Sequence, residues 1–190
     1  MQKNEKSPVP KGLVLKTVVV FIVSYLIFLF LWIGIKDHYG KGITFTASKL
    51  AAGIKNVTFV ELTEGRDLVQ ATFSPRGRGS NMLIDIPVKT SSYTFNAPLT
   101  LAILSSLYPF IERRKKAYGE ALLMLLSVHM LYVFSLEARQ LSSVLIDRNL
   151  ERPDTIIAIF YQFLWSFTDN MIIRFEPFLI GFYLFVRFKR

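Results

Sequence analysis

Three residues in the apolar parts of the chain could do chemistry. His129, Arg174 and Glu176 interrupt stretches built mostly of Leu, Ile, Val and Phe. Ionisable groups are rare in such surroundings and usually face a partner. A histidine beside a carboxylate can hold or pass a proton, or act as the base of a peptidase-like centre. The same two groups can also form a purely structural pair that fixes helix register. Nucleophilic catalysis needs an activated Ser, Thr or Cys next to the base. Ser127 is near His129 in sequence, but positions i and i+2 point to different helix faces. The chain has no cysteine, which removes disulfides, thiolate metal sites and cysteine nucleophiles. Two histidines in all argue against a histidine-rich metal centre. HExxH, GxSxG, P-loop and dinucleotide motifs are absent. The sequence therefore assigns no catalytic, cofactor-binding or metal-binding residue.

Depth can be counted along these stretches. His129 lies 13 residues beyond Lys116, and Glu176 lies 13 residues before Lys189. At about 1.5 Å per residue, both sit roughly 20 Å from the same boundary. Glu137 and Asp169 match each other further out, with Arg139 close by. If the third and last apolar helices are neighbours, His129–Glu176 and Arg139–Asp169 are the expected cross-helix pairs. Elsewhere, Arg76-Gly-Arg-Gly79 has the composition of an anion-binding turn, in which backbone N–H groups with Arg76 and Arg78 would hold a phosphate. The plainer reading is a hairpin tip carrying solubilising charge. Phe160, Tyr161, Phe163, Trp165 and Phe167 crowd one short segment. That density suits a headgroup-level belt or a contact with another subunit.

The elements that must position these residues follow from the apolar runs. A membrane-spanning helix needs about 20 mostly apolar residues. Leu13 to Ile35 meets this and reads as an uncleaved signal anchor, since no small-residue cleavage site follows. Ala97 to Ile111 is a shorter run, with Asn96 as the expected cap and Pro98 in the first turn. Ala117 to Leu136 is the third. The last apolar stretch, Thr155 to Phe188, is too long for one span and marginal for two. Asp169-Asn170 and Glu176-Pro177 interrupt it, so one span from Asn170 to Phe188 is expected, preceded by an outer aromatic helix over Ile156–Phe167. Between the first and second spans, Thr46–Gly53 favours a short helix ending at Gly53. Asn56–Leu62, Leu68–Ser74 and Met82–Val88 then read as three short antiparallel strands. Such a sheet is too small to stand alone and needs a surface beneath it.

The fold class expected is thus an α-helical membrane protein with about four spans and a small antiparallel β insert after the first. Its parts are a cytoplasmic N-terminus and signal-anchor helix (1–36), an outer helix with the three-stranded insert (37–93), a second span (94–111), a basic turn (112–116), a third span (117–136), an outer helical hairpin (137–169) and a fourth span with a basic end (170–190).

Composition agrees with this. Of 190 residues 52% are hydrophobic and 19% charged, against about a quarter charged in ordinary globular chains. The net charge of +9 admits a nucleic-acid binder or a membrane protein with basic helix ends. Position decides. Residues 1–16, 112–116 and 187–190 carry 11 basic and 2 acidic groups, and the rest carry 12 of each. The whole excess lies at the ends expected inside, as the positive-inside rule requires. No basic stripe is left for a phosphate backbone, so nucleic acid is not an expected partner. Membrane lipids and another integral membrane protein are.

The layout has a counterpart. Tyr93-Thr-Phe-Asn-Ala-Pro-Leu-Thr-Leu-Ala-Ile103 opens the second span, a basic turn and third span follow, and Phe160-Tyr-Gln-Phe163 precedes the last. This resembles the small membrane proteins associated with exosortase H in Gram-negative bacteria. In that family a Tyr/Asn-rich approach leads to a Pro-Leu-x-Leu-Ala span, and a Tyr-Gln element opens the final helix. The resemblance covers most of the chain in layout and about 20 residues in motif. It implies the partner of an envelope-sorting protease in the bacterial inner membrane; the basic ends of the spans make both termini cytoplasmic. It does not imply the protease itself. Exosortases use a cysteine nucleophile, and this chain has none. The function expected is a non-enzymatic accessory or structural subunit. The alternatives are a small intramembrane enzyme or proton-linked transporter using His129 and Glu176, and lipid or glycan binding by the β insert.

Overall fold

The computed structural model describes residues 11–76, 82–151 and 154–189. The chain is mostly helical, with one small sheet. Helix α1 runs unbroken from Lys11 to Ile54, joining the expected anchor and the expected short helix into one. It contains no proline, and Gly53 does not end it. The left-handed residue that closes it is Asn56, at φ 51°.

Strands β1 (Val57–Gly65), β2 (Leu68–Pro75) and β3 (Ile84–Lys89) form an antiparallel sheet in sequence order. Arg66 and Asp67 make the first turn, with Asp67 at φ 60°. Strand β3 alternates strictly, with Ile84, Ile86 and Val88 inward. Pro87 lies on this edge strand and points out, where its missing N–H costs no ladder bond. The inner face packs on the second half of α1 (Ile43, Ala47, Ala51) and on Tyr132, Val133 and Leu141 of the fourth helix. The sheet is stable because it lies on that helical surface.

Helix α2 (Ser91–Thr94) leads through Phe95 into α3 (Asn96–Ser106), and a short 3-10 turn follows at Tyr108–Phe110. Helix α4 spans Arg114–Asp147. It ends in a Schellman motif: Asn149, at φ 55°, donates its N–H to Ile146 O (2.9 Å) and Leu150 donates to Leu145 O (2.9 Å). Asp154 caps α5 (Thr155–Phe167) by accepting from the Ile156 and Ile157 N–H groups. A π-helical turn at Thr168–Ile172 carries the chain directly into α6 (Ile173–Phe188). The expected break at Asp169-Asn170 is therefore a correction. The backbone absorbs it as a π turn, and residues 155–188 run as one helical segment.

Helices α1 and α4 are parallel and in constant register. Tyr39 meets His129 and Ser48 meets Glu137, offsets of 90 and 89 residues. Helices α3 and α6 run together the other way: Asn96 meets Glu176, and Ile111 pairs with Lys189 at the far end. There, Glu112 N–H donates to Phe188 O at 3.0 Å. A second core of Leu104, Ala117, Ala121, Leu125, Ile180 and Leu184 fills this end. Two helices, α1 and α4, are long and apolar enough to cross a membrane. The most apolar window of α1 has no buried residue. From Tyr39, α1 continues about 42 Å to Lys11, whereas α4 extends about 22 Å from His129 to Arg114.

Candidate functional site

Between the two cores, four helices each send one polar side chain to a single buried layer. Tyr39 of α1 has its hydroxyl 2.8 Å from His129 Nδ1 of α4. His129 Nε2 lies 3.3 Å from Glu176 Oε1 of α6, close enough for an ion pair but not aligned as a hydrogen bond. Asn96 of α3 donates its amide to Ile173 O and, at 3.4 Å, to Glu176 Oε2. His129 and Glu176 are 0% and 1% exposed. The rings of Tyr39 and Tyr93 stand edge-on to the imidazole, at 5.6 and 5.4 Å.

Local sequence explains why this layer forms. Pro177 has no N–H, so the carbonyl of Ile173, four residues earlier, loses its helical partner. The Asn96 amide takes that place. Asn96 is therefore not the cap of α3: Phe95 before it is already helical, and the side chain reaches across to α6. Gly40 lets α1 approach closely. A Cβ there would fall 2.6 Å from Thr90 Oγ1, and Tyr93 donates its hydroxyl to Gly40 O at 3.3 Å.

A second buried carboxylate lies two helical turns further along α4. Ser48 donates to Glu137 Oε1 at 2.7 Å, and Glu137 is 0% exposed. Further along still, Lys55 bridges Glu151 at 3.0 Å and lies over the Tyr161 ring.

The other expected site residues are placed differently. Arg174 points outward, away from the His129–Glu176 layer. No ion pair joins Arg139 to Asp169 among the described residues; the Arg139 guanidinium faces the Trp165 ring at 5.8 Å. Glu137 turns to α1 instead of α6. Of the five aromatics, Phe160, Phe163 and Phe167 are exposed (54%, 62% and 43%). Tyr161 is buried, and Trp165 packs against Tyr132 at 5.0 Å. The helical period divides them into an outward stripe and an inward pair. Arg76 turns back to Asn56 Oδ1 (3.3 Å) and Thr58 Oγ1 (3.4 Å), and Arg78 lies outside the described residues. The β hairpin is held by Asp67, which accepts from Ser91 N (3.0 Å), Ser91 Oγ (2.6 Å) and Lys36 Nζ (3.1 Å). Partial burial alone would raise its pKa, but these donors outweigh that and hold the carboxyl below its ordinary value.

With the proton on Nε2, Tyr39 donates to Nδ1, and the Nε2 N–H lies 3.3 Å from the carboxylate without a hydrogen-bond alignment. Ser127, the hydroxyl nearest His129 in sequence, is exposed and donates to Leu123 O. Among the described residues no group of three His, Cys, Asp or Glu could hold a metal. Compared with protein-family models, curated proteins and solved structures, the chain matches none.

Proposed function

We propose that the chain is a four-pass protein of the bacterial inner membrane, with both termini cytoplasmic, acting as a non-catalytic accessory subunit of an envelope complex. The motif resemblance makes a partner of an exosortase-type sorting protease the first candidate for that complex. The observation that carries the reading is a contrast. His129 and Glu176 are closed off, and neither lines the cavity between α4 and α5, the cavity beside the start of β1, or the cavity at the α3–α4 turn. Helix α5, by contrast, turns Ile156, Ile159, Phe160, Phe163 and Phe167 outward. A group with no access cannot meet a substrate, whereas an exposed aromatic stripe can anchor a partner helix.

The test is purification in mild detergent. A stoichiometric membrane partner should accompany the wild type, and F160A/F163A/F167A should lose it while remaining folded. A clean monomer with measurable turnover would overturn the proposal.

A second reading, a proton-linked site, is favoured by the two buried carboxylates, Glu176 and Glu137, on either side of the Tyr39–Ser48 face of α1. It requires that E176Q abolish function with normal accumulation and partner binding.

A further inference from the structure

The far end of the helical body, where α3 turns into α4 and meets the end of α6, holds a cavity of about 360 Å³ lined by Glu112, Arg113, Lys116, Arg187, Phe188 and Lys189. Its shape is fixed by backbone. Ile111 pairs with Lys189, and Glu112 N–H donates to Phe188 O. Four of the six lining residues are cations. Arg187 is engaged by Glu120 at 3.2 Å and by Tyr183. Arg113, Lys116 and Lys189 have no carboxylate within 4.0 Å among the described residues, and Glu112 is the one acidic residue in the lining, so the cavity carries net positive charge. Arg113 also stands at the start of α4, a 34-residue helix whose first turn has no side-chain cap, and the dipole of that helix adds to the field. Within two turns of the cavity, Leu122, Leu123, Phe182 and Val186 are exposed and apolar.

A cationic, backbone-fixed cavity bordered by an apolar helical surface fits a molecule that is anionic at one end and apolar at the other. We propose that this cavity binds the headgroup phosphate of an anionic phospholipid, with the acyl chains lying on the exposed faces of α4 and α6. The proposal rests on the four-pass reading, which puts this end at the inner membrane surface, where basic pockets between helices take such headgroups. Arg113, Lys116 and Lys189 contact the phosphate; the bound lipid ties the α3–α4 turn to the end of α6.

The experiment uses the full chain, purified and delipidated in a neutral detergent. Topology is checked first, by labelling of the single-cysteine variant K115C in intact cells; access from the outer side overturns the four-pass reading itself. With Lys115 inside, adding phosphatidylglycerol or cardiolipin should raise the melting temperature, and phosphatidylcholine should not. R113Q/K116Q/K189Q should lose that rise and bind the anionic lipid at least tenfold more weakly by native mass spectrometry. The single variant K189Q, the milder change, should show an intermediate loss. K115Q removes a nearby charge that does not line the cavity and should respond as wild type. An equal loss in K115Q would mean diffuse surface charge and would overturn the site. An equal rise with inorganic phosphate alone would make it a free-anion site and overturn the lipid assignment. The absence of any response in the integral protein would overturn it as well.

Discussion

Asn96 supplies the hydrogen bond that Pro177 removes. The proline leaves Ile173 O without its helical N–H, and the Asn96 amide, from a helix 77 residues earlier in sequence, donates to that oxygen. This links the two parallel helices α3 and α6 beside the Glu176 carboxylate, whose second oxygen the same amide approaches.

Asn96→Leu should therefore cost about 1–3 kcal/mol, the penalty for an unsatisfied buried acceptor. Pro177→Ala restores the intrahelical donor and should recover part of that loss in the double variant. Unfolding free energies of the four proteins, measured in one detergent, test the coupling. Strict additivity would mean that the two residues act independently.

His129→Ala and Glu176→Ala should each destabilise by about 3–5 kcal/mol, because either leaves a buried group without its partner. Replacing both with apolar residues of similar volume, as in H129L/E176M, should cost much less. Denaturant unfolding gives the energies, co-purification reads partner binding, and the activity of the purified complex reads function. A stable double variant with an active complex makes the layer structural; a stable double variant that binds its partner but leaves the complex inactive makes it a proton-linked site.

Asp67 predicts acid sensitivity of the β hairpin. Its pKa is lower in the folded state than in the unfolded chain. Its contribution is thus complete above the ordinary carboxylate value of about 3.9 and is lost as pH falls through the depressed folded value. Hydrogen exchange at Thr90 and Ser91 should accelerate below about pH 4 in the wild type. Asp67→Asn should exchange faster at neutral pH and lose most of that pH dependence.

Gly40→Ala should destabilise by about 1–3 kcal/mol through overpacking. The added Cβ meets Thr90. Thr90→Ala removes the nearest atoms and should recover part of the loss. A thermal melt of the single and double variants checks this, and a neutral G40A would mean that α1 and the Thr90 turn shift apart freely.

The sequence made the local features legible. Alternation in Ile84–Val88 and the turn residues around Asp67 locate the strands, because both signals repeat within a few residues. Counting from Lys116 and Lys189 gives His129 and Glu176 equal depth, and in the structure they are 3.3 Å apart. Tyr39 as a member of this layer, and Ser48 as the partner of Glu137, were not legible. Their partners lie 90 and 89 residues away, and nothing local fixes the register of α1 on α4. The one available clue was the spacing of Gly40, Thr44 and Ser48, small residues four apart that let two helices approach. The Arg139–Asp169 expectation failed for a related reason. Equal depth says nothing about rotation, and the π turn at Thr168–Ile172 alters which way the last helix faces. The aromatic segment read as one belt because composition does not divide a helix into faces.

The unequal lengths of α1 and its neighbours bear on the bilayer itself. If all four passes are embedded, α1 continues about 20 Å past the level where α4 stops at its basic end. One hydrocarbon slab about 30 Å thick cannot match both without distortion. Mismatch costs fractions of a kcal/mol per ångström, and tilt or local thinning relieves it. The molecule would then act as a wedge, drawing the inner leaflet toward the short side and accumulating where the membrane is already thin.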